Sequence, residues 1–521
     1  MPVDPVSLEV FRNLLTSVAE EMGVALGRTA FSPNIKERRD YSCALFAPQG
    51  SMVAQAAHIP VHLGSMPASV QAALEGFAFQ PGDIVILNDP YMGGTHLPDI
   101  TLVMPVFFQG DLSGFVANRG HHADVGGMTP GSLPLSTDLF QEGLIIPPVK
   151  LAEGGRIVQQ IVDLLCRNSR SPEERKGDLA AQIAACRTGE RRFLDILAQY
   201  GLETVQEHMR ALLDYSERLI RAAVREVPDG LYTFRDFMDD DGFEDEPVPI
   251  QVAVRVQGDE MEFDFSGSAP ERPGCINAPL AVTRSAVLYV VLCLAGEAVP
   301  PNDGVMRPIK VHVPEGSLLN PRFPAAVAGG NVETSQRVVD VLLGAMAQAV
   351  PRLIPAASQG TMNNVLVGGH DPVRGKSFAY YETLAGGMGG RPDKEGLSAV
   401  HTHMTNTLNT PIEALESNYP FRILRYQIRR GSGGRGLHPG GDGLVRDMQF
   451  LSPAVVTVLS ERRRSAPYGL QGGEPGAPGE NLLLRGGVEE VRLPPKFTIQ
   501  VEDGDTLSIH TPGGGGWGKP K

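Results

Sequence analysis

The sequence predicts a multidomain α+β protein with mixed sheets, a helical middle segment and a Gly-rich, β-dominated C-terminal region. Three observations lead there. Helical periodicity is confined to a few blocks, strand-like runs alternate with Gly/Pro turn clusters elsewhere, and glycine runs crowd the last third. With 521 residues, 42% of them hydrophobic and 20% charged, the chain can build several cores of ordinary globular composition.

The elements follow in order. Leu8, Phe11, Leu14, Leu15, Val18, Met22 and Ala25 recur at helical spacing and predict an amphipathic helix over Pro5 to Thr29. Tyr41 to Val149 reads as strands broken by turns and completes a first α+β region, 1–155, which carries the candidate site. Gln159 to Val227 is helical, with Glu173, Glu174, Arg175, Lys176 and Asp178 expected on solvated faces, and defines region 156–230. In region 231–380, Gly230 to Ser266 alternates apolar and polar residues as a half-exposed sheet does, and Thr283–Leu294 and Thr334–Ala349 read as buried helices. In region 381–521, Gly386–Gly390, Gly431–Gly443, Gly472–Gly473 and Gly513–Gly516 punctuate short strand-like runs, which predicts tight turns between strands.

The charge and the cysteines exclude several classes. A net charge of −14 argues against a nucleic-acid binder, which needs a basic face. Five scattered cysteines without a CxxC pair read as reduced thiols rather than a zinc knuckle. The start MPVDPVSLEVF has no signal-peptide pattern, and the longest apolar run, Ala286 to Ala295, is about half a membrane span. The expectation is a cytoplasmic protein with no membrane and no nucleic-acid partner.

The densest chemistry is His96-Leu97-Pro98-Asp99 followed by His121-His122-Ala123-Asp124. The first cluster follows the turn-rich loop Asn88–Thr95, itself behind the apolar run Ile84–Leu87, where a sheet would aim it. A lone histidine is more often a hydrogen-bonded structural residue. Here His58, His62, His96, His121 and His122, five of the twelve histidines, lie within 65 residues among Asp40, Asp89, Asp99 and Asp124. That mixture predicts a divalent transition metal, with zinc, manganese and iron all compatible. His121 and His122 on an extended segment face opposite ways, so one of them serves a shared centre. Pro60 breaks any helix joining His58 to His62, so one of that pair orients a neighbour or substrate. Asp40 reads equally as a ligand or base and as a partner of Arg38 or Arg39.

Other motifs are weaker. His370–Ser377 has a histidine where a phosphate loop needs glycine and reads as a hairpin turn, and no nucleotide fingerprint is present. Glu461–Arg464 reads as an exposed strand end ahead of an anion site. The glycines around Arg435 and His438 suit a ligand loop or plain turns.

The segments Asn88–Asp99, Asn118–Gly127, Glu174–Gln182, Thr405–Glu416, Arg464–Gly473 and Pro512–Gly516 together resemble the hydantoinase B/oxoprolinase family. The likeness spans nearly the whole chain, and the motifs in combination are far more specific than any one. The resemblance implies a hetero-oligomer with a hydantoinase A-type ATPase subunit that phosphorylates the substrate, so ATP is used through the partner. It implies opening of a cyclic amide (hydantoin, 5-oxoproline or lactam) by a metal-activated water. His96, Asp99 and His121 match the family's His-x-x-Asp pair and later histidine, and Asp40 an acidic residue near that centre. With that set as metal ligands, Asp40 and His122 are expected to act in catalysis, and His58, His62 and Asp124 to contact substrate. The alternatives are a subunit of an ATP-dependent ketone carboxylase and a non-catalytic scaffold of the ATPase.

Overall fold

In the computed structural model, which describes residues 3–56, 59–62, 64–296, 299–486 and 489–521, mixed sheets and helices alternate along the chain. Helix α1 (Pro5–Thr29) starts where the Asp4 carboxylate accepts the N–H groups of Val6 and Ser7, and it buries Phe11, Leu15, Val18, Met22 and Leu26. The short α2 (Pro33–Lys36) leads into strands β1 (Tyr41–Phe46) and β2 (Met52–Gln55), helix α3 (Met66–Gly76), and strands β3 (Ile84–Leu87), β4 (Asp99–Phe108), β5 (Asp111–His121), β6 (Val149–Glu153) and β7 (Arg156–Ile157). These strands form one antiparallel sheet in the order β2-β1-β5-β4-β3-β6-β7.

Helices α4 (Gln159–Arg167), α5 (Pro172–Tyr200) and α6 (Leu202–Arg225) occupy the helical middle segment. They share one apolar core with α1 and the first sheet, through Leu179, Phe193, Leu197 and Leu212. Two residues expected on solvated faces there are buried, which corrects the reading. Asp178 accepts the N–H groups of Phe31 and Ser32, and Arg175 pairs with it at 3.2 Å. Asp178's backbone partners lie about 146 residues away, outside any local periodicity.

The third region holds β8 (Gly230–Met238), β9 (Val248–Gln257), β10 (Glu260–Asp264), α7 (Leu280–Ala295), β11 (Ile309–His312) and α8 (Ser335–Ala349). The sheet order is β11-β10-β9-β8, and both helices are buried as the sequence predicts. Next come β12 (Asn364–Asp371), β13 (Lys376–Thr383), α9 (Ile412–Asn418), β14 (Phe421–Arg429), β15 (Gly443–Phe450), β16 (Ala454–Leu459), β17 (Glu480–Arg485), β18 (Glu489–Leu493), β19 (Lys496–Val501) and β20 (Thr506–His510). They form two sheets, β13-β12-β16-β19 and β14-β15-β20-β17-β18. The stretch His370–Ser377 is the β12–β13 hairpin, as expected, and a boundary at 380 falls inside β13.

Glu461–Arg464 differs from its reading as an exposed strand end. Arg462 donates to Asp236 (2.6 Å) and Asp340 (2.7 Å), the Arg463 N–H donates to Asp239, and Glu461 pairs with Lys496, all largely buried. The aspartates that neutralise this run lie more than 120 positions earlier, so the local sequence shows only the surplus of charge.

The glycine runs differ too. Several are extended segments packed backbone against backbone rather than tight turns. The N–H of Gly390 donates to Gly515 O, that of Gly434 to Gly514 O, and that of Gly514 to Gly441 O, all at 2.8–2.9 Å. A Cβ on Gly514 would stand 2.1 Å from the carbonyl oxygen of Met388, and one on Gly441 1.9 Å from that of Leu397. Close approach, rather than a left-handed turn, explains glycine at these positions.

No helix among the described residues is long and apolar enough to cross a membrane.

Candidate metal centre

Asp99 opens β4 and His121 closes β5, and the two face each other in register. Side chains so paired share one face of the sheet. His96 sits in the turn before β4, where the Asp99 N–H donates to its carbonyl oxygen at 3.1 Å. Asn88 fixes that loop, donating to the carbonyls of Leu97 (2.7 Å) and Leu144 (3.0 Å) and accepting the Ile146 N–H (2.7 Å).

Three electron-pair donors converge. His96 Nε2 and His121 Nδ1 are 3.2 Å apart, and Asp99 Oδ1 is 3.3 Å from the first and 3.2 Å from the second. All three residues are buried. The second oxygen of Asp99 is held separately, by Thr95 Oγ1 at 2.5 Å and His62 Nε2 at 3.3 Å, and His62 Nδ1 lies 2.9 Å from Ser42 Oγ. Two ring nitrogens aimed at one carboxylate oxygen with edges of this length suit donors held roughly 2.0–2.2 Å from a common cation. The residues therefore fit a divalent transition metal. Burial alone would raise the Asp99 pKa, but His96, His62 and His121 hold it well below the usual carboxylate range. Desolvation lowers the His121 pKa against the pull of Asp99 and Asp40, which keeps the imidazole neutral and free to ligate.

A second layer comes from distant sheets. The Tyr381 ring stacks on His121 at 4.7 Å, and the Arg38 guanidinium lies 4.7 Å from the same ring. Arg38 donates to Tyr381 O (3.0 Å), Thr383 Oγ1 (3.0 Å) and Thr407 Oγ1 (3.4 Å). Tyr381 donates to Asn364, which donates to Glu333 Oε1 at 2.7 Å. The sequence reading missed Tyr381, Thr383, Asn364 and Glu333, none of which stands in a metal-like spacing. Thr407 was within reach, because it lies in a segment carrying the resemblance.

Glu333 is fully buried, and desolvation, with Glu461 nearby, pushes its pKa up to about 8. A raised carboxyl pKa stabilises the fold fully below the unfolded value, and that stability is lost as pH rises through the folded one. Stability should thus fall between about pH 4.5 and 8, by up to ~1.4 kcal/mol per pH unit. Glu333→Gln cannot ionise, so its Tm relative to the parent should climb across this window. Parallel Tm–pH curves for the two proteins would refute the assignment.

The structure brings His62, His96, Asp99 and His121 together, with Asp40 beside them. The Asp40 carbonyl accepts the His121 N–H (3.0 Å), and its carboxylate lies 3.9 Å from Arg38. His122 turns away and meets Gln182 Oε1 at 2.9 Å, while burial and Arg175 press its pKa down to about 3. It is not among the side chains that converge on Asp99. Asp124 also lies apart: its oxygens take the N–H groups of Gly126, Gly131 and Arg170 and the Arg170 guanidinium, which staples the turn. His58 lies outside the described residues.

The chain resembles known proteins over its whole length. Residues 4–520 match the family described as Hydantoinase B/oxoprolinase. The chain is 42% identical to "5-oxoprolinase 1" of Arabidopsis thaliana over 99% of its own length and 42% of that protein's, so it spans about two fifths of that longer relative. It is 35% identical to the B-type subunit of a putative D-/L-hydantoinase from Pseudomonas sp. (strain NS671), covering 99% of this chain and 90% of the other. Among solved structures, the ATP-dependent caprolactamase of Pseudomonas jessenii superposes with a TM-score of 0.93 at 30% identity, over 100% of this chain and 92% of that one.

Proposed function

The chain belongs to the hydantoinase B/oxoprolinase family, and from that premise we propose that it is the B-type subunit of an ATP-dependent cyclic amide hydrolase. The observation that carries this reading is the buried His96–Asp99–His121 triad, with its donor atoms 3.2–3.3 Å apart. An A-type ATPase partner phosphorylates the amide oxygen, which turns a poor electrophile into an imidate-like phosphate. Water then adds to the activated carbon, the ring C–N bond breaks, and a second water hydrolyses the open-chain acyl phosphate to the acid and inorganic phosphate. A divalent ion held by His96, Asp99 and His121 supplies Lewis-acid polarisation and a water of lowered pKa.

The chain's own residues handle orientation and protons. Thr95 and His62 fix one oxygen of Asp99 and leave the other facing the imidazoles. Tyr381 holds the plane of His121. Asp40, beside Arg38 and next to His121, takes a proton from the attacking water and returns it to the departing ring nitrogen. With Asp40→Asn, turnover should fall about 10²–10⁴-fold, the range of general acid–base catalysis. Retained metal in that variant assigns Asp40 as base, and lost metal assigns it as ligand.

The reading as a whole is tested by combining the chain with an A-type ATPase, ATP and hydantoin, 5-oxoproline or caprolactam, and following product by mass. A ring-opened acid formed with ATP consumption is expected. A product that requires bicarbonate and gains its carbon would replace hydrolysis with carboxylation.

A further inference from the structure

A cavity of about 420 Å3, within the size range of small-molecule sites, opens between α7, α8 and residues 401–406. None of His96, Asp99, His121 or Asp40 lines it, so it is separate from the centre where a ring would react. Tyr289 and Cys293 of α7 form one wall, Leu343 of α8 another, and Leu353 and Ile354 extend the apolar surface. Among the described residues no carboxylate lines the cavity, and Arg391 is the one side chain there with a permanent charge. Its ion pair among those residues is to Asp393, 3.8 Å away with a side chain 73% exposed, a weak competitor for an anion held inside.

The polar part of the lining is buried and incompletely partnered. His403 meets the Tyr289 hydroxyl at 3.4 Å through Nδ1. Its Nε2 stands 4.0 Å from Asp340 and, like Thr402 Oγ1, has no hydrogen-bond partner among the described residues. His403 also holds a φ of +55°, strain that a binding wall has reason to retain. Desolvation lowers the pKa of both His401 and His403, His401 to about 4, so neither adds charge to the interior near pH 7. One short turn joins this lining to the metal centre. Pro60 is part of the wall and opens the Pro60–His62 turn, whose His62 Nε2 lies 3.3 Å from Asp99 Oδ2. The Val61 N–H donates to Met404 O, which ties that turn to residues 401–406.

Resting on the metal reading above, we propose that this cavity is an effector site for a small carboxylic acid with an apolar body. Arg391 takes the carboxylate and the leucine and isoleucine walls take the body. The occupant braces residues 401–406 against the Pro60–His62 turn and so holds His62 on Asp99. Acid and metal then strengthen each other's binding by one and the same factor, as linkage between two sites requires.

Cys293 reports on occupancy. It is a free thiol, open to solvent on the cavity wall, whereas Cys43, Cys186 and Cys275 are buried. Its alkylation by N-ethylmaleimide is followed by peptide mapping of the full chain, at about pH 8.5 because desolvation raises the thiol pKa. Benzoate should protect Cys293 at concentrations at least about tenfold lower than benzamide, its uncharged counterpart, given the strength of hydrogen bonds between charged groups. Arg391→Leu should erase the difference. Equal protection by the two compounds, or protection by neither, overturns the proposal. The linkage is measured by titrating benzoate into the metal-free and the zinc-loaded chain, and zinc into the chain with and without benzoate. Each Kd should fall at least about fivefold in the presence of the other ligand, and by equal factors. Kd values that do not respond overturn the effector role. A chain that binds no zinc sinks the metal reading and the effector role with it. Protection of Cys293 then still decides whether the cavity takes the acid, so the two failures are distinguishable.

Discussion

His96→Ala is expected to remove the bound metal and stop product formation, while substrate-dependent ATP hydrolysis by the partner persists. His96 Nε2 is one corner of a three-donor set whose other corners lie 3.2–3.3 Å away. Two remaining donors hold a divalent ion much more weakly. Loss of several kcal/mol of charge stabilisation corresponds to a fall in turnover of about 10³-fold or more. Metal analysis of parent and variant, run beside separate assays of phosphate release and ring-opened product, checks each part. A variant without metal that still turns over at the parental rate would remove the centre from the mechanism. One that keeps its metal would remove His96 from the ligand set.

Gly514→Ala should damage the fold as severely as His96→Ala damages the chemistry. The new Cβ would lie 2.1 Å from Met388 O, 2.3 Å from Met388 C and 2.7 Å from Gly389 N. These are backbone atoms and cannot rotate aside. Gly514 is also pinned by its N–H to Gly441 O and by its carbonyl to the Gly434 N–H. Overpacking typically costs ~1–3 kcal/mol, and a wall made of backbone puts this position at about 3 kcal/mol or above. Gly76→Ala is the control, because a Cβ there meets nothing within 4 Å. Thermal denaturation should show a large fall in Tm, or no recoverable folded protein, for Gly514→Ala and little change for Gly76→Ala. Matching Tm values would refute the packing argument.

What the sequence revealed follows how far each signal travels along the chain. Helix α1 was legible from its apolar stripe, the hairpin at 370–377 from its turn residues, and α7 and α8 from their largely apolar segments. The convergence of His96, Asp99 and His121 was legible because β4 and β5 are joined by a short connection, so the three stay within 26 positions. Tyr381 and Glu333 were not, because a stacking ring or a buried carboxyl from another sheet carries no local pattern. Asp178 and Arg462 were misread for the same reason, as charges whose partners lie far off, and Arg175 was buried along with Asp178. The glycine runs misled differently. Glycine marks both a sharp turn and a surface too close for any side chain, and only three dimensions separate the two.

Arg38 and the carbonyl it binds on Tyr381 are 343 positions apart. On a ribosome, His96, Asp99 and His121 emerge together, but the ring that stacks on His121 follows about 260 residues later, roughly 13–50 s at ordinary elongation rates of ~5–20 residues per second. For that interval the nascent chain presents an unfinished histidine–carboxylate cluster to whatever cations the compartment holds. The surroundings of that cluster are therefore completed only at the end of synthesis, when the last third of the protein closes over a site made in the first.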